Sequence, residues 1–190
     1  MKNFAESCLD NHRDFRVLLQ AMSRPGEIFQ LEEGSPGRER TLLRLLDSLL
    51  DPQVGFALFE PEPQLEEKLR QQCGVRPAPI EEADFLIAPR GSSDGQLQRA
   101  KRGRLEFPDE GATLIFAIED LCEAGDDSSP CLSGPGIKES IRPRIVGLDR
   151  RDLQALAEIN QNYPLGIDAI CVDRAGKLMC IPRSTRIQGV

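Results

Sequence analysis

The chain has 190 residues, enough for one domain that buries roughly 70% of its unfolded surface and too few for two comfortable ones. Its 39% hydrophobic and 29% charged residues are those of an ordinary globular protein, and its net charge of −7 with a pI near 4.9 argues against nucleic-acid binding, which needs a basic face. No stretch approaches the ~18 uninterrupted apolar residues of a membrane span, and the charged start "MKNFAESCLDNHRD" is not a signal peptide, so the expected location is the cytoplasm.

In chain order, "HRDFRVLLQAM" (12–22) places Phe15, Leu18, Leu19 and Met22 at i, i+3, i+4 and i+7, one apolar stripe of a helix that Asp10 or Asn11 would cap. This pattern puts Phe15 in the core. Pro25 drives Arg24 out of helical geometry and Gly26 permits a turn, so the helix stops there and "EIFQL" follows as a short strand. "RERTLLRLLDSLLDP" (38–52) is a second helix, with leucines at 42, 45, 46, 49 and 50 and Pro52 as its end. "VGFALFE" is a strand apolar on both faces, "PQLEEKLRQQCG" (63–74) a polar helix closed by Gly74, and "ADFLIAP" another buried strand. "SDGQLQRAKRG" reads as a short helix or turn, "GATLIFAIED" as a continuous apolar strand, and "EAGDDSSP" (123–130) as a loop. "CLSGPG" is a further short strand and turn. "DRRDLQALAEINQNYP" (149–164) is a helix capped by Asp149, with Leu153, Leu156, Ala157 and Asn160 on one face. "GIDAICVD" and "KLMCIPR" form two strands around a turn at Asp173–Gly176, a hairpin signal. Doubly apolar strands separated by helices give an α/β sandwich with a covered sheet, and the terminal hairpin makes that sheet mixed.

Catalytic options are few. There is one histidine, His12, at the start of a predicted helix and read as a surface residue; a serine or cysteine nucleophile would depend on it, and a multi-histidine zinc site is impossible. The six cysteines (Cys8, Cys73, Cys122, Cys131, Cys171, Cys180) have no C-x-x-C spacing, and Cys171 and Cys180 read as buried thiols. No metal site is expected. Acidic pairs (Glu32/Glu33, Glu66/Glu67, Glu81/Glu82, Asp126/Asp127) read as solvated faces. "RAKRGR" (99–104) reads as a solvated helix end, with a docking patch for an acidic partner as its alternative.

Two stretches can hold an anion. In "CLSGPGIKES" the N–H groups of Gly134 and Gly136 with Lys138 could cradle a phosphate, but Pro135 lacks an N–H and the lysine does not follow the glycine as a P-loop requires, so a tight turn is the simpler reading. In "IPRSTRI" (181–187), Arg183, Ser184, Thr185 and Arg186 suit either charge-assisted bonds to phosphate or a subunit interface. The residues alone therefore give a soluble α/β domain without a self-sufficient catalytic constellation.

Taken in order, "FRVLLQAMSRPG", "GATLIF", "LSGPGI", "YPLGIDAI" and "IPRSTRI" resemble the PhnH family, subunits of bacterial carbon–phosphorus lyase systems. The family's usual "IPRTT" appears here as Ile181-Pro182-Arg183-Ser184-Thr185, which keeps the hydroxyl. The resemblance implies a three-layer α/β/α sandwich similar to the large domain of pyridoxal-phosphate-dependent transferases, without the cofactor. It also implies a homodimer that joins other carbon–phosphorus lyase core subunits, in machinery that transfers ribose triphosphate from ATP to an alkylphosphonate. It names no catalytic residue. The alternative is a free-standing enzyme on a phosphate-bearing small molecule, with Lys138, Arg183 and Arg186 as anion binders.

Overall fold

The computed structural model describes residues 4–31 and 37–190; the pair Glu32/Glu33 and Lys2 lie outside the described residues. Among those described, four α-helices form: α1 (Phe4–Ser23), α2 (Arg38–Asp47), α3 (Pro63–Cys73) and α4 (Arg150–Ile159). The strands are β1 (Phe29–Gln30), β2 (Gly55–Leu58), β3 (Arg76–Pro77), β4 (Phe85–Ala88), β5 (Thr113–Ala117), β6 (Asp120–Cys122), β7 (Cys131–Ser133), β8 (Arg144–Val146), β9 (Asp168–Val172), β10 (Lys177–Ile181) and β11 (Arg186–Gln188). Seven of them make one sheet in the order β1-β10-β9-β5-β4-β2-β3, and two antiparallel pairs, β7 with β11 and β6 with β8, stand apart from it.

The sheet is mixed, as the sequence indicates. Neighbours from β3 to β9 run parallel, and only β10 reverses, pairing antiparallel with both β9 and β1. The hairpin turn sits at the expected place: Asp173 N–H donates to Lys177 O at 3.0 Å and Gly176 N–H to Asp173 O at 3.2 Å. Alternation along the central strands explains their apolar runs. Leu114 and Phe116 of β5 pack with Leu153, Leu156 and Ile159 of α4 and with Leu132 and Ile187 of the β7–β11 pair. Ile115 and Ala117 of the same strand pack on the opposite face with Leu18, Ala21, Leu42, Leu46, Leu65 and Leu69 of α1, α2 and α3.

Two helices differ from the sequence reading. α1 begins at Phe4, so Asp10 and Asn11 lie inside it rather than at its N-cap; Asn11 instead donates to the Asp47 carboxylate at 2.9 Å. His12 is exposed within the helix. The buried face is rotated by one position from the apolar stripe. Asp14, Leu18 and Ala21 face inward, whereas Phe15 and Leu19 are 41% and 52% exposed, so Phe15 is not a core residue. The cause is polar. The Arg44 guanidinium reaches the buried Asp14 carboxylate through two bonds of 2.5 and 2.9 Å, and this pair fixes how α1 sits on α2. α2 stops at Asp47 rather than at Pro52: Ser48 and Leu49 form a turn, in which the Ser48 hydroxyl donates to the Leu45 carbonyl at 2.7 Å. α3 ends as expected, on Gly74 at φ 68.

Replacing Asp14 with Ala strips Arg44 of that carboxylate and should cost on the order of 3 kcal/mol. Phe15→Ala, on the exposed face, should cost clearly less. Urea midpoints of the two variants decide the matter: a larger drop for Phe15→Ala would mean that the helix packs on its apolar stripe after all.

Candidate functional site

The two candidate anion motifs meet. β11 pairs with β7 in the register Arg186↔Ser133, Ile187↔Leu132, Gln188↔Cys131, which lays the Pro182–Arg186 turn beside the turn at Gly134. The approach is close. Gly134 adopts φ +135, and a Cβ there would stand 3.0 Å from the Ser184 carbonyl, so a side chain is strained by conformation and crowded by contact. The C-terminal end of α4 and the residues after it, Ala157, Gln161 and Tyr163, form the third wall. Together they enclose a cavity of about 710 Å³.

Arg183 builds this cavity more than it opens onto it. Its backbone N–H donates to Asp168 Oδ1 at 2.8 Å, its Nε and Nη2 to Asp168 Oδ2 at 3.0 and 2.5 Å, and its Nη1 to the Pro108 carbonyl at 2.5 Å. The guanidinium fork is thus neutralised by a carboxylate at the start of β9. Thr185 N–H closes the turn on the Pro182 carbonyl at 2.8 Å. On the facing wall, Asn160 exchanges two bonds with Ile167, giving its Nδ2 hydrogen to Ile167 O at 3.0 Å and accepting Ile167 N–H at 2.8 Å. Between those residues the chain turns through a cis Tyr163–Pro164 bond, and Tyr163 is 65% exposed at the rim.

Three kinds of polar group remain uncommitted at the cavity. The Arg186 side chain is exposed and, among the described residues, has no ion-pair or hydrogen-bond partner. Ser184 is half-buried, and Gln161 and Gln188 are exposed along the lining. Thr185 is only 3% exposed, and its Oγ1 is, among the described residues, the one buried side-chain polar atom without a hydrogen-bond partner. The lining contains Arg183 and Arg186 and no carboxylate.

The other candidate residues sit elsewhere. Gly136 abuts the end of α1, where an added Cβ would lie 2.6 Å from the Ser23 carbonyl. Lys138 is exposed and does not line the cavity, and Ile137 N–H bonds the Gly134 carbonyl at 3.1 Å, so this loop closes as a turn. The "RAKRGR" cations are engaged locally: Arg99 with Glu81 at 2.8 Å, Lys101 with Asp84 at 2.5 Å, Arg104 with Glu110 at 2.9 Å, and Arg102 with the Gln98 side chain at 2.8 Å. Lys177 holds Asp120 at 2.8 Å, and Lys68 pairs with Glu39. Cys171 and Cys180 are buried, as expected; burial pushes the Cys171 thiol up to about 12 and that of Cys180 well above its ordinary value.

A sequence model of the family described as bacterial phosphonate metabolism protein (PhnH) matches residues 2–188. The chain belongs to the PhnH family. A protein named as C-P lyase subunit HtxG, from Stutzerimonas stutzeri, is 33% identical over 176 residues, covering 91% of this chain and 83% of its own length. The alpha-D-ribose 1-methylphosphonate 5-triphosphate synthase subunit PhnH of Rhizobium meliloti (strain 1021) is 26% identical over 193 residues, covering 97% of this chain and 94% of its own.

In this PhnH-family chain, the sequence shows each motif but not their meeting, nor that Tyr163 and Asn160 line the cavity and Asp168 holds Arg183 behind it. For Asp168 a signal existed. With Ile181 opposite Ala169 in the hairpin, the next residues of each strand, Pro182 and Asp168, lie opposite, so Arg183 falls within reach of that carboxylate.

Two variants check this construction. Arg183→Lys keeps the charge but loses the fork, and should cost about 1–3 kcal/mol of stability, read as a lower urea midpoint; an unchanged midpoint would remove Arg183 from its holding role. Asp149 caps α4, its Oδ1 accepting Arg151 N–H at 2.9 Å, and the Arg151 guanidinium at 2.7 Å holds its carboxyl at about 2, below the ordinary 3.8. A depressed carboxylate stabilises the fold above its unfolded pKa and loses that contribution as pH falls through the folded one. The wild type should therefore lose more stability than Asp149→Asn, which still caps, between pH 3.8 and about 2. Parallel pH curves for the two chains would show that the cap does not titrate.

Proposed function

We propose that this chain is a subunit of a carbon–phosphorus lyase system in phosphonate breakdown. In this reading it is required with partner subunits for the transfer of ribose triphosphate from ATP to an alkylphosphonate, and is inactive by itself. One observation carries the reading: the family match over residues 2–188, with a relative named as a synthase subunit aligned over 97% of this chain. The chemistry of the residues supports dependence on partners. His12 is exposed on α1, away from the cavity lining, and the buried thiols are held protonated by burial. No group of three or more metal-ligating side chains forms among the described residues. Three of the four described lysines are ion-paired and the fourth, Lys138, lies outside the cavity, so no lysine is placed there to form an imine.

Exposed apolar side chains suit a protein that is covered in an assembly. Phe15 and Leu19 on α1, Leu105 and Phe107 in the loop before β5, and Tyr163 at the cavity all face outward. The same reading includes a homodimer, a cytoplasmic location and a fold akin to the large domain of pyridoxal-phosphate-dependent transferases used as a scaffold.

The test is capture of the tagged chain co-expressed with the remaining subunits, washed at moderate salt, followed by assay of ATP consumption with methylphosphonate. A stoichiometric complex that is active, with a silent lone chain, is the expected result. A lone chain that turns over ATP would overturn the dependence, and failure of capture would overturn the subunit reading itself.

A further inference from the structure

We propose that the cavity between the Gly134 turn, the end of α4 and the Pro182–Arg186 turn binds a small organic molecule with a tetrahedral oxyanion head, a phosphonate or a phosphate monoester. Arg186 is its counter-charge, Ser184 and Thr185 donate hydroxyl hydrogens to the head, and Tyr163 covers the organic part.

Size and charge come first. At about 710 Å³ the cavity falls within the roughly 300–1,000 Å³ of small-molecule sites. Its lining carries two arginines and no carboxylate, in a chain whose net charge is −7. Asp168 neutralises Arg183, which leaves the Arg186 guanidinium, without a partner among the described residues, to meet an anion. A lone exposed arginine says little. This one stands at a concave wall beside hydroxyl and amide groups.

Thr185 supplies the independent observation. A buried hydroxyl without a partner lowers stability, and a valine of the same shape would fill the space without that penalty. The oxygen is covered in the present rotamer. Thr185 already lines the cavity, so rotation about its Cα–Cβ bond is the movement by which its O–H would reach a ligand oxygen. The orphan is thus satisfied when a ligand oxygen arrives.

The donor count selects the head group. Arg186, Ser184, Thr185, Gln161 and Gln188 offer more donors than the two oxygens of a carboxylate use, and suit the three oxygens of a phosphonate or phosphate. Ala157 and Ile187 give the apolar floor for a short organic group. The walls are held in place before binding, one by the Arg183 fork and the other by the Asn160–Ile167 bonds, so little ordering is lost on association.

This inference stands on the cavity and not on membership of an assembly, so the two fail separately. The isolated chain is titrated by calorimetry with methylphosphonate, ribose 5-phosphate and inorganic phosphate, and assembly is read by capture. The expected result is saturable binding of methylphosphonate or ribose 5-phosphate, weakened about tenfold or more by Arg186→Gln. Thr185→Val should weaken the same binding several-fold while its melting temperature does not fall. Arg186 is exposed, so its variant remains informative if Thr185→Val does not fold. Absence of saturable binding by any probe overturns the proposal, as does binding of inorganic phosphate alone that Arg186→Gln leaves unchanged. Loss of partner capture by Arg186→Gln without any small-molecule binding would make this face a protein contact instead, and would also overturn it.

Discussion

The hold of Arg183 on Asp168, by guanidinium and backbone N–H together, is the interaction on which the cavity end of the molecule depends. It turns the chain as it leaves β10, fixes the Pro182–Arg186 turn, and delivers β11 to β7 in a single register. The guanidinium's third bond, to the Pro108 carbonyl, ties in the long connection before β5. A guanidinium is suited to this because its rigidly forked, always charged donors reach Asp168 Oδ2 and the Pro108 carbonyl in one plane; an ammonium at the same place would not define that plane. The charge that looks most available in "IPRSTRI" is therefore the one already spent, and the open cation is the arginine three residues later.

Below that end lies an ordinary consequence of alternation. Strands β5 and β9 bury both faces, and the helices distribute themselves three to one side and one to the other. The single helix leaves its face incompletely covered. The β7–β11 and β6–β8 pairs and their turns fill the remainder, and the cavity sits where the end of that helix meets the first of these pairs. A site placed at such a junction draws on three segments far apart in sequence, which lets turn residues vary while the sheet stays intact.

Much of this was legible before any coordinates. Hydrophobic runs, the Gly74 stop, the Asp149 cap and the Asp173–Gly176 turn locate α3, α4, the β9–β10 hairpin and the mixed sheet, because each rests on local chemistry. The misses come from long-range pairing. The face of α1 is set by a buried Asp14 that an apolar-stripe argument places outside, and only its contact with Arg44, 30 residues on, makes that burial tolerable. Strands of two or three residues, such as β3, β8 and β11, carry too few positions to show a period at all. At the cavity, the two motifs could be quoted, but their adjacency is a property of the β7–β11 ladder, and Tyr163 and Asn160 enter through the turn after α4. None of these leaves a mark in a linear pattern.

The reversed strand β10 has a consequence for how the chain is made. It stands between β9 and β1, and Gly26 N–H, just past α1, bonds the Cys180 carbonyl at 3.1 Å. The segment from Gly26 to Leu31 thus finds its sheet partner among residues 176–180. While the middle of the protein is being added, α1 can pack on α2, but β1 has no strand edge to join. That edge of the sheet closes only when Gln30 meets Lys177 across most of the chain, the kind of long-range pairing whose loop-closure entropy must be met before its contacts form.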